Sequence, residues 1–390
     1  MAIYLDHAAT TPLRPEALEA MLPYLTEHFG NPSSAHRFGQ RARAGLDEAR
    51  EQVAHRLGAQ AREIVFTSGG TEANNLALKG AAWAGKARGH RIITTAVEHH
   101  AVGHSLRYLE KFGFEIVELP VDRYGRVDPD EVEAAITDRT ILVSVMLANN
   151  EVGTIEPIAE IAERVRRHRG VLLHSDAVQA APYLDLDVGA LGVDLLSISG
   201  HKFEGPKGVG VLYVRHGTHI LAQQHGGSQE RHRRGGTENV AGAVGLAAAY
   251  ELACQERRET TARLRRLRDR LATALLAVAG TELTGHPKDR LPHLVSIIAR
   301  EVDGAEVAVG LDLNDQIACS VGSACTSGSN EVSHVLAAMG YPDEEARGAL
   351  RLSLGRTTTE AEIDAACEAV PRAILAAREA GAALAGTSAP

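Results

Sequence analysis

The chain has 390 residues, of which 44% are hydrophobic and 23% are charged, and its formal net charge is −9. This composition is that of a folded globular protein, and the lack of a basic tract argues against a nucleic-acid partner. The start of the chain, MAIYLDHAATTP, shows no signal pattern, and the most apolar stretch, 240–253, is too short to span a membrane. We therefore expect a cytoplasmic protein without membrane segments.

Strand-like and helix-like segments alternate along the chain from about residue 60 to residue 215. In chain order we predict strand 63–68, helix 71–83, strand 91–97, helix 101–112, strand 115–120, helix 128–136, strand 141–148, helix 157–168, and strands 171–175, 193–199 and 209–215. This order predicts an α/β fold with a mostly parallel central sheet flanked by helices. The charged helical segment 255–273 predicts the passage to a smaller α+β domain. We expect a large cofactor-binding domain over 13–258, and a small domain over 259–390 that also includes residues 1–12 and carries Cys325.

Polar residues follow five of these predicted strands. They are the SGGT loop at 68–71, Glu98 to His100, Asn149 with Asn150, Asp176 with Gln179, and Gly200 to Lys202. In open α/β sheets, ligands bind beyond the carboxyl ends of the strands. The five endings therefore predict one shared binding site.

Two of these endings suggest the chemistry of a ligand. Gly69 and Gly70 before a helix that opens at Thr71 are typical of a phosphate site, although a threonine N-cap would explain the same residues. Neither GxGxxG nor GxxxxGK[ST] is present. Asp176, after a buried strand, needs a partner, which is either an internal cation or a protonated pyridine nitrogen.

The segment SGHKFEGPKG contains two lysines, Lys202 and Lys207, with different predicted surroundings. Lys202 comes directly after a buried strand, where its amine could form a Schiff base with an aldehyde cofactor. Ser199 and His201 could bind a phosphate beside it. Lys207 follows a Gly-Pro pair at a turn, where we expect a solvated or structural lysine.

Histidines and cysteines provide the remaining candidates. No ligand set completes a metal site near His99, His100 and His104, so we expect no metal, and His99 is better placed for ring stacking and proton transfer. The four cysteines form no CxxC pair and no disulfide framework. Cys325 lies in GSACTSGSN, which is unlike a protein core, whereas Cys319 is expected to be a small buried residue, with a resolving role as the alternative.

Ten segments in order carry a resemblance to a known family. They are YLDHAATTP (4–12), FGNPSSAH (29–36), FTSGGTEANN (66–75), EHHAV (98–102), NNEVG (149–153), DAVQ (176–179), SGHKFEGPKGVG (199–210), GGSQERHRRGGTEN (226–239), GSACTSG (322–328) and LRLSLGR (350–356). The chain resembles the group I, NifS/IscS-type cysteine desulfurases, which are pyridoxal 5′-phosphate (PLP) enzymes of the class V aminotransferase family. The resemblance implies the PLP fold type I.

The resemblance also implies how the cofactor would be held. Lys202 would form the Schiff base, His99 would stack on the pyridine ring and move protons, and Asp176 would pair with the ring nitrogen. The other cofactor contacts would come from Gly70, Thr71, Asn150, Gln179, Ser199, His201 and, across a homodimer interface, Thr237.

The implied reaction converts L-cysteine to L-alanine and leaves a persulfide on Cys325, whose thiolate is the nucleophile. Asn150 would contact the substrate, and Arg351 would bind its carboxylate, with Arg356 as an alternative. The sulfur would pass to an acceptor such as an iron–sulfur scaffold or a tRNA-thiolation protein. A selenocysteine lyase on the same scaffold is the nearest alternative. An aminotransferase would not need Cys325, and a non-catalytic scaffold protein would need neither Cys325 nor Lys202.

Overall fold

The computed structural model describes residues 2–322 and 332–387. The strands are β1 Ile3–Tyr4, β2 Ile64–Thr67, β3 Arg91–Thr95, β4 Glu115–Leu119, β5 Thr140–Ser144, β6 Leu172–Asp176, β7 Leu195–Ser199, β8 Gly210–Val214, β9 Thr281–Leu283, β10 Leu294–Ala299, β11 Ile317–Ala318 and β12 Ala349–Ser353. The helices are α1 Pro15–Thr26, α2 Arg37–Arg56, α3 Gly70–Gly85, α4 His100–Glu110, α5 Pro129–Ala135, α6 Ile158–Val165, α7 Val188–Leu191, α8 Gln229–His232, α9 Val240–Leu276, α10 Gly304–Asp315, α11 His334–Ala338, α12 Asp343–Ala346 and α13 Glu360–Thr387.

The central sheet has seven strands in the order β2-β8-β7-β6-β5-β3-β4. The pairs from β7 through β4 are parallel, and β8 runs antiparallel to both β7 and β2. Since β8 alone is reversed, β2 points the same way as β7. The strands β2, β3, β5, β6 and β7 therefore all end at one edge of the sheet. The predicted α/β class with a mostly parallel sheet is confirmed.

The two faces of this sheet are buried against different helices. Val65 and Leu212 belong to a core cluster with residues of α3 and α4, whereas Phe66 and Val211 belong to a second cluster with α2 and α9. Neighbouring residues of a strand point to opposite faces, so a strand covered on both sides must be apolar throughout. This explains the continuous apolar runs in the sequence.

The remaining strands form two smaller sheets. An antiparallel sheet has the order β12-β10-β9, and β1 pairs in parallel with β11. The apolar stretch 240–253 and the charged stretch 255–273 form one continuous helix, α9, so the predicted domain boundary at residue 258 falls within a helix and stays a prediction. No helix in the described ranges combines the length and the apolarity that crossing a membrane requires.

Candidate active site

A cavity of about 370 Å³ lies at the sheet edge where the five strands end. Most of the predicted site residues line it, namely Gly70, Thr71, His99, Asn150, Asp176, Gln179, Ser199, His201, Lys202 and Arg351. Two predicted residues are not among them. Thr237 is exposed in the segment between α8 and α9, and Cys325 lies outside the described residues.

Lys202 follows β7 in a short 3₁₀ turn that directs its side chain into the cavity. Its Nζ donates to the backbone oxygens of Ala8 (2.6 Å) and Ala9 (2.9 Å). Lys207 is exposed in the turn before β8 and does not line this cavity. The two lysines of SGHKFEGPKG are therefore in different environments, and Lys202 is the one that faces the site.

The Asp176 carboxylate ends β6 on the cavity wall, with only 5% of the residue exposed. Its Oδ2 accepts a hydrogen bond from Asn74 Nδ2 (2.6 Å), and its Oδ1 accepts one from the backbone N–H of Val178 (2.9 Å). Both donors are neutral, so neither provides a counter-charge, and a cationic ring nitrogen in the cavity would suit this carboxylate. Asn74 lies one turn after Gly70 on α3, and helical periodicity could have identified it from the sequence.

The N-terminus of α3 provides the anion-binding end of the cavity. The N-cap residue is Gly69, with φ of 148°, and it makes no side-chain cap. The alternative of a Thr71 N-cap is therefore wrong, because Thr71 is already the second residue of the helix. A Cβ atom on Gly70 would lie 2.8 Å from a methyl carbon of Val178, so the close approach requires glycine. Free N–H groups at the start of this 16-residue helix favour a bound phosphate.

His201 lines the same cavity as the start of α3. Its Nδ1 is 3.1 Å from the hydroxyl oxygen of Thr10, and burial lowers the pKa of His201 to about 4. The imidazole is consequently neutral near pH 7, and its other nitrogen remains for a ligand. The backbone oxygen of His201 also accepts from the N–H and the hydroxyl group of Thr11. The segment 8–11 thus holds the turn that carries both His201 and Lys202.

His99 is the N-cap residue of α4, and its Nδ1 accepts a hydrogen bond from the backbone N–H of Ala101 (3.1 Å). In the neutral imidazole the proton is then on Nε2. Burial lowers the pKa of His99 and favours this neutral form. The neighbouring Glu98 is buried and accepts from Met146 N (2.7 Å) and from the Thr95 hydroxyl (3.0 Å). These bonds fix the loop that presents His99.

Three more histidines surround this corner of the site. The ring centroids of His100 and His104 are 5.0 Å apart, and those of His100 and His334 are 4.8 Å apart. His334 Nε2 donates to the backbone oxygen of Glu98 (2.9 Å). Within the described ranges, no three His, Cys, Asp or Glu side chains are arranged to hold a metal ion. Sequence reasoning missed His334, because no local signal links it to the strand ends.

Arg351 reaches the cavity from β12 and is 2% exposed. Its Nη1 donates to the backbone oxygens of Asn150 (2.8 Å) and Gly322 (3.1 Å), and its Nη2 pairs with Asp6 Oδ1 (2.9 Å). Arg356, the alternative, lies outside this cavity and lines a separate one of about 40 Å³. Arg351 is therefore the arginine that the fold brings to the strand ends.

Two further residues considered in the sequence analysis are Gln179 and Cys319. Gln179 Nε2 donates to the same Ala8 oxygen that accepts from Lys202 (2.7 Å). Cys319 is half-buried against the core, and burial raises the pKa of its thiol to about 12. A thiol with this pKa is protonated near pH 7 and is a poor nucleophile.

The lining fits PLP. The start of α3 offers N–H groups to a phosphate, Asp176 offers a carboxylate to a ring nitrogen, and the Lys202 amine faces the same space. Asn74 Oδ1, buried in the wall next to Asp176, has no hydrogen-bond partner in the described chain, which indicates that a bound group completes this wall.

Known proteins with related sequences and folds agree with this arrangement. The profile of the family described as "Aminotransferase class-V" matches residues 3–366. The chain is 51% identical to cysteine desulfurase IscS of Methanosarcina thermophila, covering 96% of this chain and 92% of that protein. It is 49% identical to cysteine desulfurase IscS of Dictyoglomus turgidum, covering 95% and 94%.

Among solved structures, a NifS-like protein superimposes with a TM-score of 0.90 at 38% identity, covering 96% of this chain and all of that one. The similarity therefore extends over nearly the whole chain in both sequence and fold. The chain belongs to the class-V aminotransferase family, and within it to the PLP-dependent cysteine desulfurases of the NifS/IscS type.

Proposed function

We propose that this chain converts L-cysteine to L-alanine and takes up the sulfur as a persulfide on Cys325. The observation that carries the proposal is the presence of Lys202, Asp176 and Arg351 on the wall of one cavity. They supply an amine, an anionic partner for a ring nitrogen and a cation for a carboxylate. These are the groups that a PLP enzyme acting on an amino acid requires.

The residues on the same cavity wall are proposed to bind the cofactor. Bound PLP supplies an aldehyde and an electron-withdrawing ring that accepts the electron pair when a bond at the substrate α-carbon is broken. Lys202 offers its amine to the aldehyde, and Asp176 holds the proton on the ring nitrogen. The remaining contacts are proposed for Gly70, Thr71, Asn150, Gln179, Ser199 and His201.

His99 covers the ring and exchanges a proton with the ligand at Nε2. Its Nδ1 is engaged by the N–H of Ala101, so Nε2 is the atom that carries the hydrogen in the neutral ring. His99 can donate from this atom without any change in the loop. Accepting a second proton would break the Ala101 hydrogen bond, because the Nδ1 lone pair would be used.

Arg351 and Asn150 orient the substrate, with the guanidinium group binding its carboxylate. The thiolate of Cys325 then attacks the substrate sulfur, so that an S–S bond forms as the substrate Cβ–S bond breaks. The electron pair of the broken bond stays with the carbon, which takes up a proton, and alanine leaves. The glycine- and serine-rich sequence around Cys325 suits a nucleophile that must also meet an outside acceptor. The acceptor is proposed to be an iron–sulfur scaffold or a tRNA-thiolation protein, and a cytoplasmic location remains a prediction.

A homodimer is part of the proposal. Exposed apolar side chains occur at helical spacing on α1, at Leu18, Leu22 and Leu25. Phe29 follows α1, and its exposed ring stacks on that of Phe38 at the start of α2. Several exposed large apolar side chains on one part of the surface favour burial against another chain. Thr237, which is exposed and does not line the cavity of its own chain, is proposed to reach the phosphate bound by the second subunit.

The test is a visible spectrum of the purified protein before and after addition of L-cysteine, combined with assays of alanine and protein persulfide. We expect bound-cofactor absorbance that shifts with cysteine, followed by alanine release. Cys325→Ser should keep the absorbance and lose the persulfide and turnover, whereas Cys319→Ser should keep all three. Unchanged alanine production by Cys325→Ser would show that Cys325 is not the nucleophile. Turnover of selenocysteine alone would favour the lyase alternative.

A further inference from the structure

The charge of Arg351 is already balanced by a carboxylate of the protein itself. The two N–H bonds of Nη1 go to backbone oxygens, and Nη2 forms an ion pair with Asp6 Oδ1 at 2.9 Å. In the part of the chain that the structure describes, Asp6 is the carboxylate paired with Arg351, and Arg351 Nε makes no hydrogen bond. A buried guanidinium group needs such a partner.

Asp6 is held in place independently of this ion pair. It forms a parallel bridge with Ser353, two residues after Arg351 on β12. On either side of Asp6, His7 N donates to Ser353 O (3.2 Å), and Ser353 N donates to Leu5 O (2.7 Å). These backbone contacts therefore keep Asp6 next to β12, the strand that carries Arg351, whether or not the charges attract.

A substrate carboxylate that binds Arg351 must share the guanidinium group with Asp6. Two carboxylates on one cation repel each other, so the resident one weakens the binding of the incoming one. We propose that Asp6 is a positioning residue that neutralises Arg351 between turnovers and limits its affinity for amino-acid carboxylates. This inference rests on the proposed function, in which Arg351 binds the substrate carboxylate. Alanine has the same carboxylate as cysteine, so Asp6 also speeds product release.

The experiment measures L-alanine binding to the PLP-loaded protein by isothermal titration calorimetry. Asp6→Asn removes the charge and keeps an oxygen that can accept from Nη2, so the guanidinium group stays oriented. We expect the dissociation constant for alanine to fall about tenfold, equivalent to about 1.4 kcal/mol. The KM for cysteine should fall with it, while kcat should not rise, because alanine leaves more slowly.

Matched variants separate the possible outcomes. Asp315→Asn removes a carboxylate from an exposed pair with Arg372 and should leave alanine binding unchanged. If Asp6→Asn weakens alanine binding or leaves it unchanged, Asp6 has only a structural role and the inference is overturned. Should Asp6→Asn fail to fold, Asp6→Ser, which also removes the charge, tests the same expectation. Arg351→Gln should weaken binding strongly, and unchanged binding in that variant would overturn the substrate-binding assignment itself.

Discussion

A buried ion pair between Arg50 on α2 and Glu230 on α8 holds the segment that leads to Thr237. Arg50 Nη1 and Nη2 each donate to one Glu230 oxygen at 2.7 Å, and Phe66 N donates to Glu230 Oε2 at 3.0 Å. Both side chains are almost fully buried. Glu230 also begins a run of three residues with φ of 44°, 56° and 65°, a conformation that costs about 1–2 kcal/mol per residue. The ion pair therefore maintains a strained turn.

The perturbation is Glu230→Gln, which leaves the Arg50 cation buried without a counter-charge. Breaking one side of a buried pair costs about 3–5 kcal/mol. The entropy of unfolding for a chain of this length is about 0.8 kcal/mol/K, so the melting temperature should fall by about 4–6 °C. We also expect the turn to loosen, with faster tryptic cleavage after Arg231 and Arg233.

The assay is guanidinium chloride unfolding, with differential scanning calorimetry as a second measurement. The control is Asp47→Asn, which breaks an exposed pair with Arg43 on the same helix and should cost at most about 0.5 kcal/mol. If Glu230→Gln is no less stable than Asp47→Asn, the reasoning about the buried pair is refuted.

Two further predictions follow from single side chains. Lys202→Ala should abolish the visible absorbance of the bound cofactor, whereas Lys207→Ala should keep it. A visible spectrum of each variant tests this, and the reverse pattern would show that the wrong lysine has been assigned. Burial raises the pKa of Glu156 to about 8, so the folded protein keeps a proton that the unfolded chain releases near pH 4.5. The free energy of unfolding should therefore fall as pH rises between these two values, by up to about 1.4 kcal/mol per pH unit. Glu156→Gln has no carboxyl proton to lose. In denaturant unfolding, its stability relative to the unsubstituted protein should increase from pH 6 to pH 8. If the stabilities of the two proteins change with pH in parallel, the raised pKa is contradicted.

Most of the cofactor wall could be predicted because its signals are local. An apolar run that ends in Asp176 or Lys202 is visible in a few residues of sequence, and the rule that parallel strands end at one edge brings such endings together. The order of the strands and the reversal of β8 are not visible in this way. They depend on which strands pair, and pairing joins segments that are far apart in the chain.

The choice between Arg351 and Arg356 is a second case in which local sequence is not sufficient. Both belong to LRLSLGR, and the sequence alone allowed either to bind the substrate. Arg351 lies within β12, which the sheet aims at the cavity, whereas Arg356 lies beyond the end of the strand and pairs with Glu204. The structure thus places Arg351, and not Arg356, on the cavity wall, while the role of Arg351 in substrate binding stays a proposal.

By itself the sequence determined the fold class, the family and the side chains at the strand ends, because these follow from local hydrophobic patterns and short motifs. Only the tertiary structure decided the pairing of Asp6 with Arg351, the contact of Ala8 with Lys202 and the approach of His334 to His100. Each of these contacts joins residues at least 190 positions apart. Such contacts arise when helices and sheets pack, and no local propensity specifies them.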